Sequence, residues 1–206
     1  QTFTLGATGQ NVTADSTGAT GAITIDTSTF TSVTGIFDDN TGDDTIALTL
    51  SQDGVNISSA NTTDVDTIAL ANNVGATMTR VQDAKINAAS GTNTVTLTDA
   101  GAVTGNANVE TYVLADGGGT TFTLGADAQN VTTGNGADIV DVGTRTATGT
   151  FTTVAADTIK LGNGADVKGV DSGAGAGGAF TANTLELASG ASVTMTAAQN
   201  NSFTSA

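Results

Sequence analysis

The stretch TFTLGATGQNVT at residues 2–13 returns as TFTLGADAQNVT at residues 121–132, 119 positions later. A second pair, DTIALANNVGATMTRVQ (66–82) and NTLELASGASVTMTAAQ (183–199), recurs at an offset of 117. It shares Thr67/Thr184, Leu70/Leu187, Ala71/Ala188, Thr77/Thr194, Met78/Met195, Thr79/Thr196 and Gln82/Gln199. Inside the long unit, DTIAL occurs at 44 and again at 66, and DTIKL echoes it at 157. A long period with a nested period near 20 residues is what stacked coils produce. The sequence therefore divides into a first long repeat unit, 1–120, and a second, incomplete one, 121–206, expected to continue the same solenoid.

The repeated material is of one kind. AITID (22–26), DTIALTL (44–50), NTVTLT (93–98), ETYVLA (110–115), DIVDV (138–142), DTIKL (157–161) and NTLEL (183–187) each alternate an apolar residue with Thr or another polar one. A period of two marks a strand with one buried face. β-Branched residues favour that backbone, and about a fifth of the chain is Thr. Gly, Asn, Asp and Ser cluster between the runs, where tight corners need left-handed backbone. No stretch carries a convincing helical period, and the best attempt, AAQNNSFTSA at 197–206, is weakened by its Asn and Ser. The expected fold is all-β: a parallel β-solenoid with coils of roughly 20 residues. Tandem β-sandwich domains are the alternative, since a unit of about 117 residues is near their size. One Tyr, seven Phe and no Pro suit narrow coils better than sandwich cores and loops.

Composition narrows the function. Twenty acidic residues against five basic ones leave a formal charge of −15. Such a surface repels nucleic acid and anionic membranes and attracts divalent cations, which prefer oxygen ligands. With no Cys and no His, thiolate sites, disulfides and the usual general base are missing. No apolar run approaches a membrane span, so membrane insertion is not expected. The chain opens on Gln1, not Met, as expected of a processed, excised or partial chain, and an exported, extracellular protein fits.

Three turns suggest calcium. TGNGADIVD (133–141) resembles the nine-residue Gly-Gly-x-Gly-x-Asp-x-aliphatic-x repeat of secreted RTX proteins through Gly134, Gly136, Asp138 and Val140, with Thr133 in place of the first Gly. GNGADVK (162–168) matches through Gly162, Gly164 and Asp166, and departs at Lys168. DNTGDDTI (39–46) keeps Gly42, Asp44 and Ile46, but begins with Asp39 and Asn40. In that family, glycine carbonyls and the Asp bind calcium between successive turns of a parallel β-roll. The resemblance makes Gly134, Gly136, Asp138, Asp141, Gly162, Gly164, Asp166, Asp39 and Asp44 candidate calcium ligands. The copies are scattered where a calcium ladder stacks its repeats directly, so glycine-rich corners with solvated Asp remain open beside it.

The longer texture is similar to the repeat regions of bacterial surface-layer proteins and large RTX-type adhesins. NVETYVLADGGGTTFTLGADAQNV (108–131) and LELASGASVTMTAAQ (185–199) carry that likeness. It implies an extracellular, Thr- and Gly-rich β-solenoid that assembles or adheres without catalysis.

Other features point elsewhere. The acid pairs Asp38-Asp39, Asp43-Asp44, Asp64/Asp66 and Asp138/Asp141 would suit glycoside hydrolysis if set across a sugar cleft. Arg80, Lys85, Arg145, Lys160 and Lys168 are dispersed and Trp is absent, which disfavours a polysaccharide enzyme. TVTLT (94–98) and TRTATGT (144–150) rank Thr at alternate positions, the pattern of an ice-binding face, although Thr also simply favours exposed strand sites. Sequons at Asn11, Asn56, Asn61, Asn130 and Asn200 are as frequent as this composition produces by chance.

The expected function is that of a non-catalytic extracellular structural protein: a self-assembling subunit or repeat segment of a surface layer, filament or adhesin stalk, with calcium stiffening its corners. A carbohydrate- or ice-binding adhesin module is the alternative. Its partners would be further copies of itself and cell-surface polysaccharide. The second unit stops where the first runs on into SGTNTVTLTDAG (90–101), and neither end carries a recognisable cap. Open coils at 1–13 and 192–206 are therefore expected to pair end to end.

Overall fold

A computed structural model describes residues 1–14, 21–40, 44–154, 156–173, 175–182 and 184–203. Gly42 and Asp43, of the third calcium turn, lie outside them, as do residues 204–206 of the expected C-terminal open coil. The chain is nearly all β, with parallel strands stacked as in a β-solenoid. It forms two compact units, Gln1–Thr96 and Leu97–Ala206. Their division falls 24 residues before the boundary of the sequence repeat at 120.

In chain order the first unit contains β1 (Thr2–Thr4), β2 (Val12–Ala14), β3 (Ala22–Asp26), β4 (Phe37–Asp39), β5 (Thr45–Leu50), β6 (Val55–Asn56), β7 (Thr67–Leu70), β8 (Gly75–Met78), helix α1 (Arg80–Asp83) and β9 (Ile86–Ala89). The strand β10 (Thr94–Leu97) spans the division. One parallel sheet runs β1-β3-β5-β7-β9, while β2 pairs with β4 and β6 with β8. The alternation of apolar and polar residues sorts the two faces. Ile25, Ile46, Leu48, Leu50, Ile68 and Leu70 point inward and are buried, as are Val55, Ala76 and Met78 opposite them.

Register departs from the sequence echo in an instructive way. DTIAL repeats after 22 residues, yet β5 and β7 pair Leu48 with Ile68 and Leu50 with Leu70, a step of 20. A slip of two residues keeps every side chain on its own face, where a slip of one would have turned the core outward.

The second unit repeats the scheme with β11 (Ala102–Thr104), β12 (Thr111–Val113), β13 (Thr121–Thr123), β14 (Asn130–Thr132), β15 (Ile139–Gly143), β16 (Phe151–Thr152), β17 (Thr158–Leu161), β18 (Thr184–Leu187) and helix α2 (Ala197–Ser202). Its first sheet runs β11-β13-β15-β17-β18, and its second contains β12-β14-β16. Phe122, Val140, Ile159 and Leu161 fill the interior from one sheet, and Tyr112, Val131 and Phe151 from the other. The Tyr112 and Phe122 rings lie 4.7 Å apart, centroid to centroid.

Both short helices sit where the repeat places Thr-x-x-Gln. Thr79 and Thr196 are N-caps, and Gln82 and Gln199 complete reciprocal capping boxes with them. Periodicity misses helices of four and six residues because one turn and a half carries no stripe.

Candidate functional site

The residues with chemistry to offer are arranged as two sets of struts between coils. The first set stands at the start of strands. The Gly21 N–H donates to Asp44 Oδ1 (2.6 Å), the Ile46 N–H to Asp66 Oδ2 (2.8 Å) and the Val74 N–H to Asn93 Oδ1 (2.8 Å). In the second unit the Thr120 N–H donates to Asp138 Oδ1 (2.6 Å) and the Asp138 N–H to Asp157 Oδ1 (3.0 Å). In each case an Asp or Asn just ahead of a strand reaches back one coil for a backbone donor. The second oxygens serve their own corners: Asp138 Oδ2 accepts from the Gly134 N–H (3.1 Å), and Asp157 Oδ2 from the Val154 N–H (2.7 Å) and the Thr133 hydroxyl (2.6 Å). Asp138 and Asp157 are fully buried. Burial raises the Asp138 carboxyl above its ordinary value of 3.8; the hydrogen bond from Thr120 opposes the rise and the neighbouring Asp157 charge adds to it.

Buried glutamines make the second set. Gln129 Oε1 accepts from the Gly125 and Ala126 N–H groups (2.6 and 3.2 Å), and its Nε2 donates to the Asn106 and Val109 carbonyls of the preceding coil (2.7 and 2.9 Å). Gln82 Nε2 donates likewise to Ile57 and Ala60 (2.8 and 3.2 Å), and Gln199 Nε2 to Val167 (2.7 Å). The oxygen holds the local turn and the nitrogen holds the coil before it. Lys85 plays a related part, its Nζ donating to the carbonyls of Thr62, Thr63 and Val65 at 2.6–2.8 Å.

The residues that the calcium resemblance groups each have a local structural role. Asp138 is the strut just described, with Gly134 at its corner. A Cβ on Gly134 would lie 2.7 Å from the Ala115 carbonyl carbon, so this glycine permits close approach of two coils. Gly136 and Gly164 have φ of +141° and +86°, backbone that L side chains avoid. Gly162 donates to the Gly143 carbonyl at 2.6 Å. Asp141 lies on the outer face of β15, accepting from the Gly143 N–H (2.9 Å) and pairing with Lys160 Nζ (3.3 Å). Asp166 accepts from the Lys168 N–H (3.0 Å) with the Lys168 ammonium 3.5 Å away. Asp39 Oδ2 accepts from the Asp44 N–H at 3.1 Å, which brings those two together. A recess holds Asp39, Asp44, Asp64 and Asp66 beside Lys85. Among the described residues, no three or more acidic side chains form a group that could hold a metal ion.

The outward threonines form interrupted columns. In the first unit one column reads Thr2, Thr24, Ala47, Thr67, and the next Thr4, Asp26, Thr49, Ala69. In the second the corresponding columns read Ala102, Thr121, Ile139, Thr158, Thr184 and Thr104, Thr123, Asp141, Lys160, Glu186.

No catalytic or metal motif marks the struts Asn93, Asp157 and Gln129, or the coil-to-coil roles of Asp66 and Lys85, because their partners are backbone groups about 20 residues away. Their signal was positional. Asp or Asn recurs just ahead of the Thr-aliphatic runs, and Gln at one place in each repeated segment. No helix among the described residues is long and apolar enough to cross a membrane. No family model, no curated protein and no solved structure matches the chain.

Proposed function

We propose that this chain is a non-catalytic structural segment of an extracellular assembly, a surface layer, filament or adhesin stalk built by stacking solenoid coils. One observation carries the proposal: buried side chains able to do acid-base or ligand chemistry are engaged in backbone hydrogen bonds from coil to coil. Asp138, Asp157, Gln82, Gln129 and Gln199 are all of this kind. A ladder of that sort ties each coil to the one before it and leaves its acceptors occupied. The acidic, Thr-rich surface suits an exposed and soluble exterior. Ice binding would need Thr at one place on many consecutive coils, and Ala47, Ile139 and Asp26 break the columns.

Calcium is the second reading: Asp39, Asp44, Asp64 and Asp66 line one recess without forming a ready-made ligand group, so an ion there would have to draw them together. The experiment is electron microscopy of the purified protein in millimolar calcium and again after EDTA. Filaments or sheets in both conditions support assembly through the coils alone; loss of order in EDTA assigns the corners to calcium. Monodisperse particles in both conditions would overturn self-assembly.

A further inference from the structure

The motif GNGAD occurs twice in the second unit, at 134–138 and 162–166, and holds the chain's two Asn-Gly pairs, Asn135-Gly136 and Asn163-Gly164. Asn followed by Gly is chemically labile in water, because the glycine nitrogen has no Cβ beside it and can reach the Asn side chain. All four residues are exposed. The fold places the two copies differently. At the second, the Gly164 N–H donates to the Ser192 carbonyl (2.8 Å), and the Ser192 N–H donates back to Asn163 Oδ1 (2.9 Å). The attacking nitrogen and the group it would attack are thus clamped onto one residue of the neighbouring coil. At the first, the Gly136 N–H has no acceptor and Asn135 Oδ1 no donor among the described residues. The Asn135 side chain is tied through Nδ2, which donates to Asp116 Oδ1 at 3.0 Å.

We infer that Asn135 is a self-modification site, at which the folded chain deamidates to aspartate or isoaspartate with water as the co-reactant. Hydroxide takes the Gly136 amide proton, and the nitrogen attacks Asn135 Cγ. The bond from Cγ to Nδ2 breaks, and ammonia leaves with a proton from water. One water then opens the resulting succinimide, so that an amide and water become a carboxylate and ammonium. To react, Asn135 gives up one exposed hydrogen bond of its side chain, whereas Asn163 and Gly164 would give up two between coils. The product undoes a tie between coils. Asp116 Oδ1 accepts from the Asn135 N–H (2.8 Å) as well as from Nδ2, and the Gly117 N–H donates to the Asn135 carbonyl (2.8 Å). A carboxylate at 135 replaces a donor with a second negative charge facing Asp116. Isoaspartate also inserts a carbon into the backbone between Gly134 and Asp138, the corner that the Asp138 strut holds through the Gly134 N–H. The reaction is a property of this corner and stands whatever the chain assembles into.

The test is incubation of the full chain in mildly alkaline buffer, folded and in concentrated urea, followed by mass spectrometry of the peptides that carry each pair. The two pairs lie in the same five-residue sequence, so in urea they should convert at equal rates. In the folded chain Asn135 should convert about tenfold faster than Asn163, the factor set by one further hydrogen bond to break. Equal rates in the folded chain, or an Asn135 that stays intact there while it reacts in urea, would overturn the inference. The untied corner has its own readout in an Asn135→Asp variant. Its Gly117 amide should exchange about fivefold faster than in the parent chain, with the Gly164 amide, bonded to Ser192, as the internal reference. Unchanged exchange at Gly117 would overturn the loss of the tie between coils.

Discussion

Replacing Gln129 tests the strut arrangement at the buried side chain that holds the most backbone groups. The side chain is 1% exposed and holds four backbone groups, the N–H of Gly125 and Ala126 and the carbonyls of Asn106 and Val109. Leaving a buried polar group without a partner costs about 1–3 kcal/mol. With some water entry, Gln129→Leu should destabilise the second unit by about 3–6 kcal/mol, independent of pH. Gln129→Glu separates the two halves of the role. Its carboxyl oxygen can still accept from Gly125, but the second oxygen now faces two carbonyls at the former Nε2 distances of 2.7 and 2.9 Å. Charge is disfavoured there, so the folded-state pKa rises above the unfolded value. The neutral acid binds its proton more tightly in the folded state. Its share of stability is therefore present below the ordinary glutamate value of about 4.3 and lost as pH rises through the folded one. A rise of about two units makes the variant about 3 kcal/mol weaker, relative to wild type, at pH 7.5 than at pH 4. Tyr112 is the single tyrosine, buried in the same unit, and Trp is absent, so tyrosine fluorescence in urea reports the transition directly. Equal deficits for Gln129→Glu at both pH values, or a Gln129→Leu variant as stable as wild type, would refute the reasoning.

Asp138→Ala should cost about 2–5 kcal/mol, because the Thr120 and Gly134 N–H groups lose their acceptor. The raised folded pKa of Asp138 makes its stabilising share largest below 3.8 and smaller as pH rises through the folded value, so the gap to wild type in urea melts should narrow with pH. Two glycines separate space from conformation. Gly149→Ala drives a Cβ into the Gln129 carbonyl and should cost about 3 kcal/mol, whereas Gly54→Ala, with open space but φ of +74°, should cost about 1 kcal/mol by the same melts. Lys85→Met keeps the stem and removes the ammonium from the carbonyls of Thr62, Thr63 and Val65; faster exchange of the amides around 62–66 and a loss of about 1–3 kcal/mol are expected.

Much of the architecture was written in local pattern. Alternation in AITID, TIALTL and TIKL determined which side chains face inward, because a pleated strand has only two faces. The repeat of Thr79/Thr196 and Gln82/Gln199 marked real structure too, although its meaning as a capping box with a buried hook lies in the tertiary structure. Register lay beyond the sequence. The 22-residue echo of DTIAL and the 20-residue pairing of β5 with β7 share one facing pattern, so alternation permits both and packing between coils selects one. Tertiary structure also supplies partners for the acids that the letters do not show. GNGAD spells the same residues whether its Asp faces an ion or a backbone N–H from the neighbouring coil. For Asp138 the fold adds the Thr120 N–H as a partner, 18 residues earlier in the chain and 2.6 Å away in space, because coils about 20 residues long lie directly on one another.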